Sequence, residues 1–183
     1  MDRRIPGTTL RADRANPAAI EAQLRGMFLG GDIALGQVVR ITGLEPYMVQ
    51  NWVKRGYLPA PVNRRYTLVQ LCRILNINML KDVLAMEQIC GLLTYINGCL
   101  SDSSDDLIDD AHLYFLFLQL VARLEDMATP ESRDQAVQEV LTDYIEPIPG
   151  AKERVGRVLL VMVTAWTAAA LLRKTNDLMN TLQ

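Results

Sequence analysis

Residues 45–67 read EPYMVQNWVKRGYLPAPVNRRYT, and the fold turns on how this stretch is divided. Its first half has helical spacing: Met48, Val49, Trp52 and Val53 recur on one side, and Gly56 stops the pattern. Pro46 suits the first helical position, because its missing N–H would have no intrahelical partner there. The other side of this Glu45–Arg55 helix carries Glu45, Tyr47, Gln50, Asn51 and Lys54. The second half cannot continue the helix, because Pro59 and Pro61 each remove a donor and clash with the preceding turn. Two short extended pieces, YLP and RRY, flanking APVN predict a small β-hairpin. Trp52, Leu58 and Tyr66 are expected to pack this hairpin onto the helices. That leaves Lys54 and Arg55 at one end of the packed unit and Arg64 and Arg65 at the other.

Upstream, IALGQVVRITGL places Leu35, Val38, Val39 and Thr42 at helical spacing before Gly43. Before it, Pro17 opens AAIEAQLRGMFL, a short helix closed by Gly30-Gly31. Residues 1–16 are Arg-rich without periodicity and read as a loose arm. Downstream, Thr67 caps LVQLCRILNINMLKD, with Leu71, Ile74, Leu75, Asn78 and Met79 on one side. AMEQICGLLTYI follows with Met86, Ile89, Leu92, Leu93 and Ile96 inward, and NGCLSDSSDD is a loop rich in turn formers. Three further helices are predicted at about Asp105–Met127, Pro130–Tyr144 with Thr129 as cap, and Ala151–Asn180. No segment alternates with period two. The fold class is therefore mainly all-α: a winged helix-turn-helix with a small β-hairpin wing, followed by a helical C-terminal bundle. The expected organisation is an arm and short helix over 1–31, the winged module over 32–100, and a helical dimerisation domain over 101–183.

The net charge of −2 over 183 residues conceals a strong segregation. Residues 37–81 hold seven Lys/Arg and one Glu, whereas residues 82–183 hold seven Lys/Arg and sixteen Asp/Glu. A compact basic block is the electrostatic footprint of a nucleic-acid reader. Two short helices joined by a glycine turn have the helix-turn-helix order, in which the second helix enters the major groove. Tyr47, Gln50, Asn51, Lys54, Arg55, Arg64 and Arg65 are then the expected DNA-binding residues. Asn and Gln can pair with adenine edges, and Tyr, Lys and Arg reach phosphates. The competing reading is a solvated basic face beside a core Trp.

The landmarks TGL, NWVKRGYLPAP and RRYT, and a helix ending near LAMEQICGLL, resemble the winged helix-turn-helix of MerR-type regulators. MVQNWVKRGYLPAPVNRRYT, INMLKDVLAMEQI and the acidic SDDLIDD are similar to a bacterial family known as domain of unknown function 1836, over roughly residues 20–125. The resemblance implies a cytoplasmic, dimeric, DNA-binding transcriptional regulator. Where MerR-type helices carry Arg-Tyr-Tyr or Arg-Tyr-Trp, this chain has Gln50, Asn51 and Trp52, one arginine fewer. A non-catalytic adaptor that kept the shape and lost DNA binding is the alternative.

In the C-terminal half, VLLVMVTAWTAAALL is apolar on nearly every side, which requires burial all round. A second subunit would complete that burial, so a homodimer is expected. Met162, Trp166 and Met127 would line a pocket for an apolar effector, or simply form core. The uncharged run Val158–Leu172 is shorter than the roughly 20 residues of a spanning helix, so no membrane partner is expected. Cys72, Cys90 and Cys99 lack CxxC spacing and read as reduced thiols in a cytosolic protein. His112, the one histidine, lies in an apolar run. Asp102, Asp105, Asp106, Asp109 and Asp110 lack the EF-hand order and read as helix-capping acids. No catalytic constellation, cofactor motif or metal-ligand set is recognisable, and an enzyme is not expected.

Overall fold

The computed structural model describes residues 4–98, 100, 102, 104–124, 127 and 129–182. Among them the chain is mainly helical, with eight α-helices and one two-stranded antiparallel sheet. The order is α1 (Pro17–Gly26), β1 (Ile33–Ala34), α2 (Leu35–Thr42), α3 (Pro46–Lys54), β2 (Arg65–Tyr66), α4 (Leu68–Leu80), α5 (Met86–Asn97), α6 (Asp110–Ala122), α7 (Pro130–Val140) and α8 (Ala151–Asn180).

Helix α4 is the axis of the molecule. Thr67 caps it by accepting from Gln70 N at 3.2 Å, while Gln70 Oε1 accepts from Thr67 N at 2.9 Å. Leu71, Cys72, Ile74, Leu75, Ile77 and Leu80 are all fully buried, so α4 is surrounded rather than half-sunk. Its broadest contact is with α6, whose DAHLYFLFLQLVA is equally apolar round its circumference. Helix α8 packs on α4, α5, α6 and α7 with its first two-thirds.

Arg73 on α4 and Asp110 at the start of α6 form a buried ion pair at 3.1 Å. Arg73 Nε also donates to Tyr57 O at 2.8 Å, and Asn76 Nδ2 donates to Asp110 O at 3.2 Å. Burial pushes the Asp110 carboxyl up, and the Arg73 guanidinium acts against that rise. Asp109, beside it, caps α6 by accepting from the N–H groups of Ala111 and His112.

Several expectations need correction. The N-terminal segment is no loose arm: Ile5 has 0% of its surface exposed. Tyr114 Oη donates to Pro6 O at 2.7 Å, and Asn78 Nδ2 donates to Gly7 O at 2.8 Å. Gly7 has φ 71°, and a Cβ there would lie 2.7 Å from Leu75 O. Only glycine allows this approach of backbone to α4. Helix α6 starts at Asp110, because residues near Asp105 turn and because Asp109 provides the cap. Helices α1 and α7 also end earlier than their patterns predict, at Gly26 and Val140, in short turns.

Burial of α8 is also incomplete. Its limits match the sequence pattern, but residues 171–182 are exposed throughout. By length and composition α8 is apolar enough to cross a membrane, yet half of its most apolar 18-residue stretch is buried within the protein. His112 lies on the surface of α6, and Cys72 is buried with its thiol pushed up by desolvation. Cys99 lies outside the described residues.

Two stability outcomes follow. Ile5→Ala should destabilise the protein by about 2–5 kcal/mol in chemical denaturation, as for a fully buried aliphatic side chain; a loose arm would give no change. Arg73→Ala should cost about 3–5 kcal/mol, because it strands a buried carboxylate. The double change Arg73→Met with Asp110→Leu should recover most of that loss.

Candidate nucleic-acid interface

The α2–turn–α3 unit is built from short-range rules. Gly43 ends α2 at φ 70°, and a Cβ on it would lie 2.9 Å from Thr9 Cγ2. Thr42 Oγ1 donates to Val38 O and accepts from Leu44 N, which fixes the turn into Pro46. Helix α3 then buries Val49 and Trp52, with Met48 and Val53 half-buried beside them. The opposite stripe, Tyr47, Gln50, Asn51 and Lys54, is exposed along its whole length, with Tyr47 at 61%. These positions are spaced i, i+3, i+4 and i+7, so they form one face.

The segment after α3 differs from the predicted hairpin. Arg65–Tyr66 does not pair with Tyr57–Pro59; it pairs antiparallel with Ile33–Ala34, in the register Ile33↔Tyr66 and Ala34↔Arg65. The physical reason is donor supply. Pro59 and Pro61 bring no N–H to a ladder, whereas the extended Ile33–Ala34 contains no proline. The carbonyls of Pro59 and Ala60 are taken instead by Gln70 Nε2, at 3.2 and 3.1 Å. A tight turn remains at the tip, where Arg65 N donates to Val62 O at 2.9 Å across Asn63 and Arg64. Both central residues have positive φ, 50° and 60°, as in a type I′ turn.

Tyr57 N donates to Trp52 O at 2.8 Å, so the segment starts directly on the end of α3. Trp52, Leu58 and Tyr66 are buried together in the core, as the sequence led us to expect. Burial pushes the Tyr66 hydroxyl up. Gln70 and Arg73 are the residues that sequence reasoning missed. From α4, Gln70 holds the carbonyls of Pro59 and Ala60, and Arg73 holds that of Tyr57. The Thr67-x-x-Gln70 capping spacing was the available signal for Gln70; an isolated Arg in an apolar helix was the signal for Arg73.

All seven sequence-predicted DNA-binding residues are exposed. Lys54, Arg55 and Arg64 have no ion-pair partner among the described residues. Arg65 is tied more closely: its Nη1 donates to Asp32 O at 3.0 Å. Beside it, Gly30, Gly31, Asp32, Val62, Asn63 and Arg65 line an open hollow of about 460 Å³. In the C-terminal half, Met162 and Met127 are core, and Trp166 packs edge-on to Phe117 under Arg14. The apolar hollow found there is a different one, about 370 Å³, lined by Val83, Leu84 and the Leu160–Ala168 face of α8. Among the described residues no group of three or more His, Cys, Asp or Glu side chains is placed to hold a metal ion.

Residues 34–117 match the model of a family described as domain of unknown function DUF1836. The matched span starts at β1 and ends within α6, so it takes in both helices of the turn, the tip and the Arg73–Asp110 pair. The chain is also similar to the uncharacterized protein YkrK of Bacillus subtilis (strain 168), at 26% identity over 118 residues. That alignment covers 62% of this chain and 51% of YkrK, about half its length. No solved structure matches.

The tip geometry is testable apart from any ligand. Arg64→Val, which places a β-branched side chain at φ 60°, should cost about 1–2 kcal/mol. Arg64→Gly should leave stability equal or slightly raised. Urea unfolding of the two variants separates these outcomes; equal losses in both would contradict the turn.

Proposed function

We propose that residues 32–100 act as a MerR-like winged helix-turn-helix that reads double-stranded DNA, and that the protein is a non-catalytic transcriptional regulator acting as a pair of copies. The observation that carries this reading is the face of α3. Four side chains with hydrogen-bonding heads, Tyr47, Gln50, Asn51 and Lys54, stand exposed opposite a buried Val49–Trp52 anchor. Gln50 and Asn51 make no side-chain hydrogen bond within the described residues, so their amides are free for base edges.

The cations complete the assignment. Lys54 and Arg55 at the end of α3 and Arg64 at the tip have no neutralising partners among the described residues, which is the state a phosphate ligand needs. Arg65, braced on Asp32 O, supports the tip and keeps further N–H donors for a phosphate. In this reading Asn63-Arg64 is the wing, a shorter one than a full hairpin.

Binding to a duplex pool at low salt should weaken steeply as salt is added, because each neutralised phosphate releases counterions. Arg64→Ala with Arg65→Ala should weaken binding to all sequences alike and lower the salt slope by about two. Gln50→Ala or Asn51→Ala should instead relax preference at one or two base pairs by about 1–3 kcal/mol each. Selection of duplexes from a random library, read with wild type and each variant, checks all three. Salt-independent binding, or none, would send the α3 face to a protein partner instead.

A further inference from the structure

Residues 81–84 connect α4 to α5, and between this connection and α8 lies the open hollow of about 370 Å³. Its wall is apolar: Val83, Leu84, Leu160, Val161, Ala165 and Ala168, with Thr164 as the one polar residue. The room comes from composition. Ala165 and Ala168 carry a single methyl where the preceding turn of α8 carries Leu160 and Val161, so connection and helix leave space between them. Val83 and Val161 are 39% and 41% exposed, so apolar surface stays in contact with water here. A concave site of this lining, at the small end of the usual range of ligand sites, takes a small apolar molecule.

The hollow has one charged end. Asp82, next to Val83, is flanked by two cations: Lys81 Nζ lies 3.1 Å from Asp82 Oδ1, and Arg173 Nη1 lies 3.9 Å from Asp82 Oδ2. One carboxylate against two cations leaves a positive charge in excess. The Arg173 contact is too long for a hydrogen bond, and Arg173 makes none within the described residues. Its planar fork of donors is therefore free for a second carboxylate. Arg173 lies towards the exposed end of α8 and Leu160 towards the embedded end, so charge and apolar wall succeed one another along the helix. From Leu160 to Ala168 the helix rises about 12 Å at about 1.5 Å per residue. An extended chain advances about 1.2 Å per bond, so about ten carbons cover that length.

We infer that this hollow binds a free single-chain carboxylate, a fatty acid of about ten carbons. Its head sits on Arg173 and Lys81, and its chain runs along Val83, Leu84 and Leu160. Charge complementarity selects the occupant. A neutral apolar molecule would leave the excess cation unused, and a cationic amphiphile would be repelled by it. A volume of about 370 Å³ holds one such chain and leaves a two-chain lipid outside. The inference goes beyond the DNA reading and stands without it, because none of its residues belongs to α3 or to the tip.

Calorimetric titration of the full chain with octanoate, decanoate, decanol and decyltrimethylammonium, each below its micelle concentration, tests it. The expected result is one decanoate per chain, with affinity falling about fourfold for each methylene removed. Decyltrimethylammonium should bind weaker than decanoate by about tenfold or more. Equal affinity for the two head groups, or no decanoate bound, would overturn the inference. Ala168→Phe, which fills the hollow, should abolish binding and keep the helical circular dichroism. Lys81→Gln with Arg173→Gln should lower decanoate affinity by about tenfold and leave decanol unchanged. This second variant alters only charged side chains that reach solvent, so it reads the site even where the first is destabilised. Undiminished decanoate binding in the Gln variant, or in a folded Ala168→Phe, would contradict the inference. Flotation with phosphatidylglycerol vesicles that Ala168→Phe abolishes, with no decanoate bound, would give the hollow to a membrane surface. Slower sedimentation of Ala168→Phe, with no decanoate bound, would give it to a second copy. Both results overturn the inference. Arg64→Ala with Arg65→Ala should leave decanoate binding unaltered, which separates failure of this site from failure of DNA binding.

Discussion

Arg73 sits where three parts of the chain meet. Its Nη1 holds the Asp110 carboxylate, its Nε holds the Tyr57 carbonyl, and its backbone lies in the buried middle of α4. A charge this deep in an apolar helix is unfavourable unless it is fully paired, so its partners are fixed in place with it. One partner starts α6, the other starts the segment that leads to the tip. The position of the Asn63–Arg64 turn relative to the helical body is therefore set from inside the core. The Gln70 amide, one turn earlier on α4, holds the Pro59 and Ala60 carbonyls of the same segment.

That arrangement explains how a chain with a small negative total charge can present an isolated basic edge. The basic residues of α3 and the tip come from a block that holds one acidic residue among seven basic ones. Among the described residues Lys54, Arg55 and Arg64 have no ion-pair partner, and three acidic residues of the C-terminal half are engaged at other places. Asp110 neutralises Arg73, Asp109 caps α6, and Glu139 pairs with Arg123. An acidic body bearing a basic edge disfavours indiscriminate adhesion to polyanions and concentrates attraction at one place.

Local signals made much of this legible in the sequence. Pro46, Gly43, Gly56 and Thr67 set the limits of α2, α3 and α4 because each acts through the backbone of its immediate neighbours. The uninterrupted apolar run likewise fixed Ala151–Asn180. What stayed hidden depends on distant partners. Burial of Ile5 requires Tyr114 to reach Pro6 O, more than a hundred residues away in sequence. The pairing of Arg65–Tyr66 with Ile33–Ala34 cannot be read from either strand, since two residues carry no alternation. Asp110 looked like one capping acid among five until Arg73 was found opposite it. The seven candidate contact residues were all identifiable as polar or cationic, and all are exposed. That Lys54, Arg55 and Arg64 lack ion-pair partners among the described residues was not readable, because it depends on where the acidic side chains come to rest.

The central claim is that one edge of the protein, the α3 stripe with the Asn63–Arg64 tip, meets DNA while the body keeps its packing. Hydrogen exchange of backbone amides with and without a duplex at low salt tests it most directly. The account predicts slowed exchange confined to residues near 44–56 and 61–66, with the amides of α4, α6 and the buried part of α8 unchanged. Protection elsewhere with those two stretches unaffected, or no protection at any duplex concentration, would contradict it.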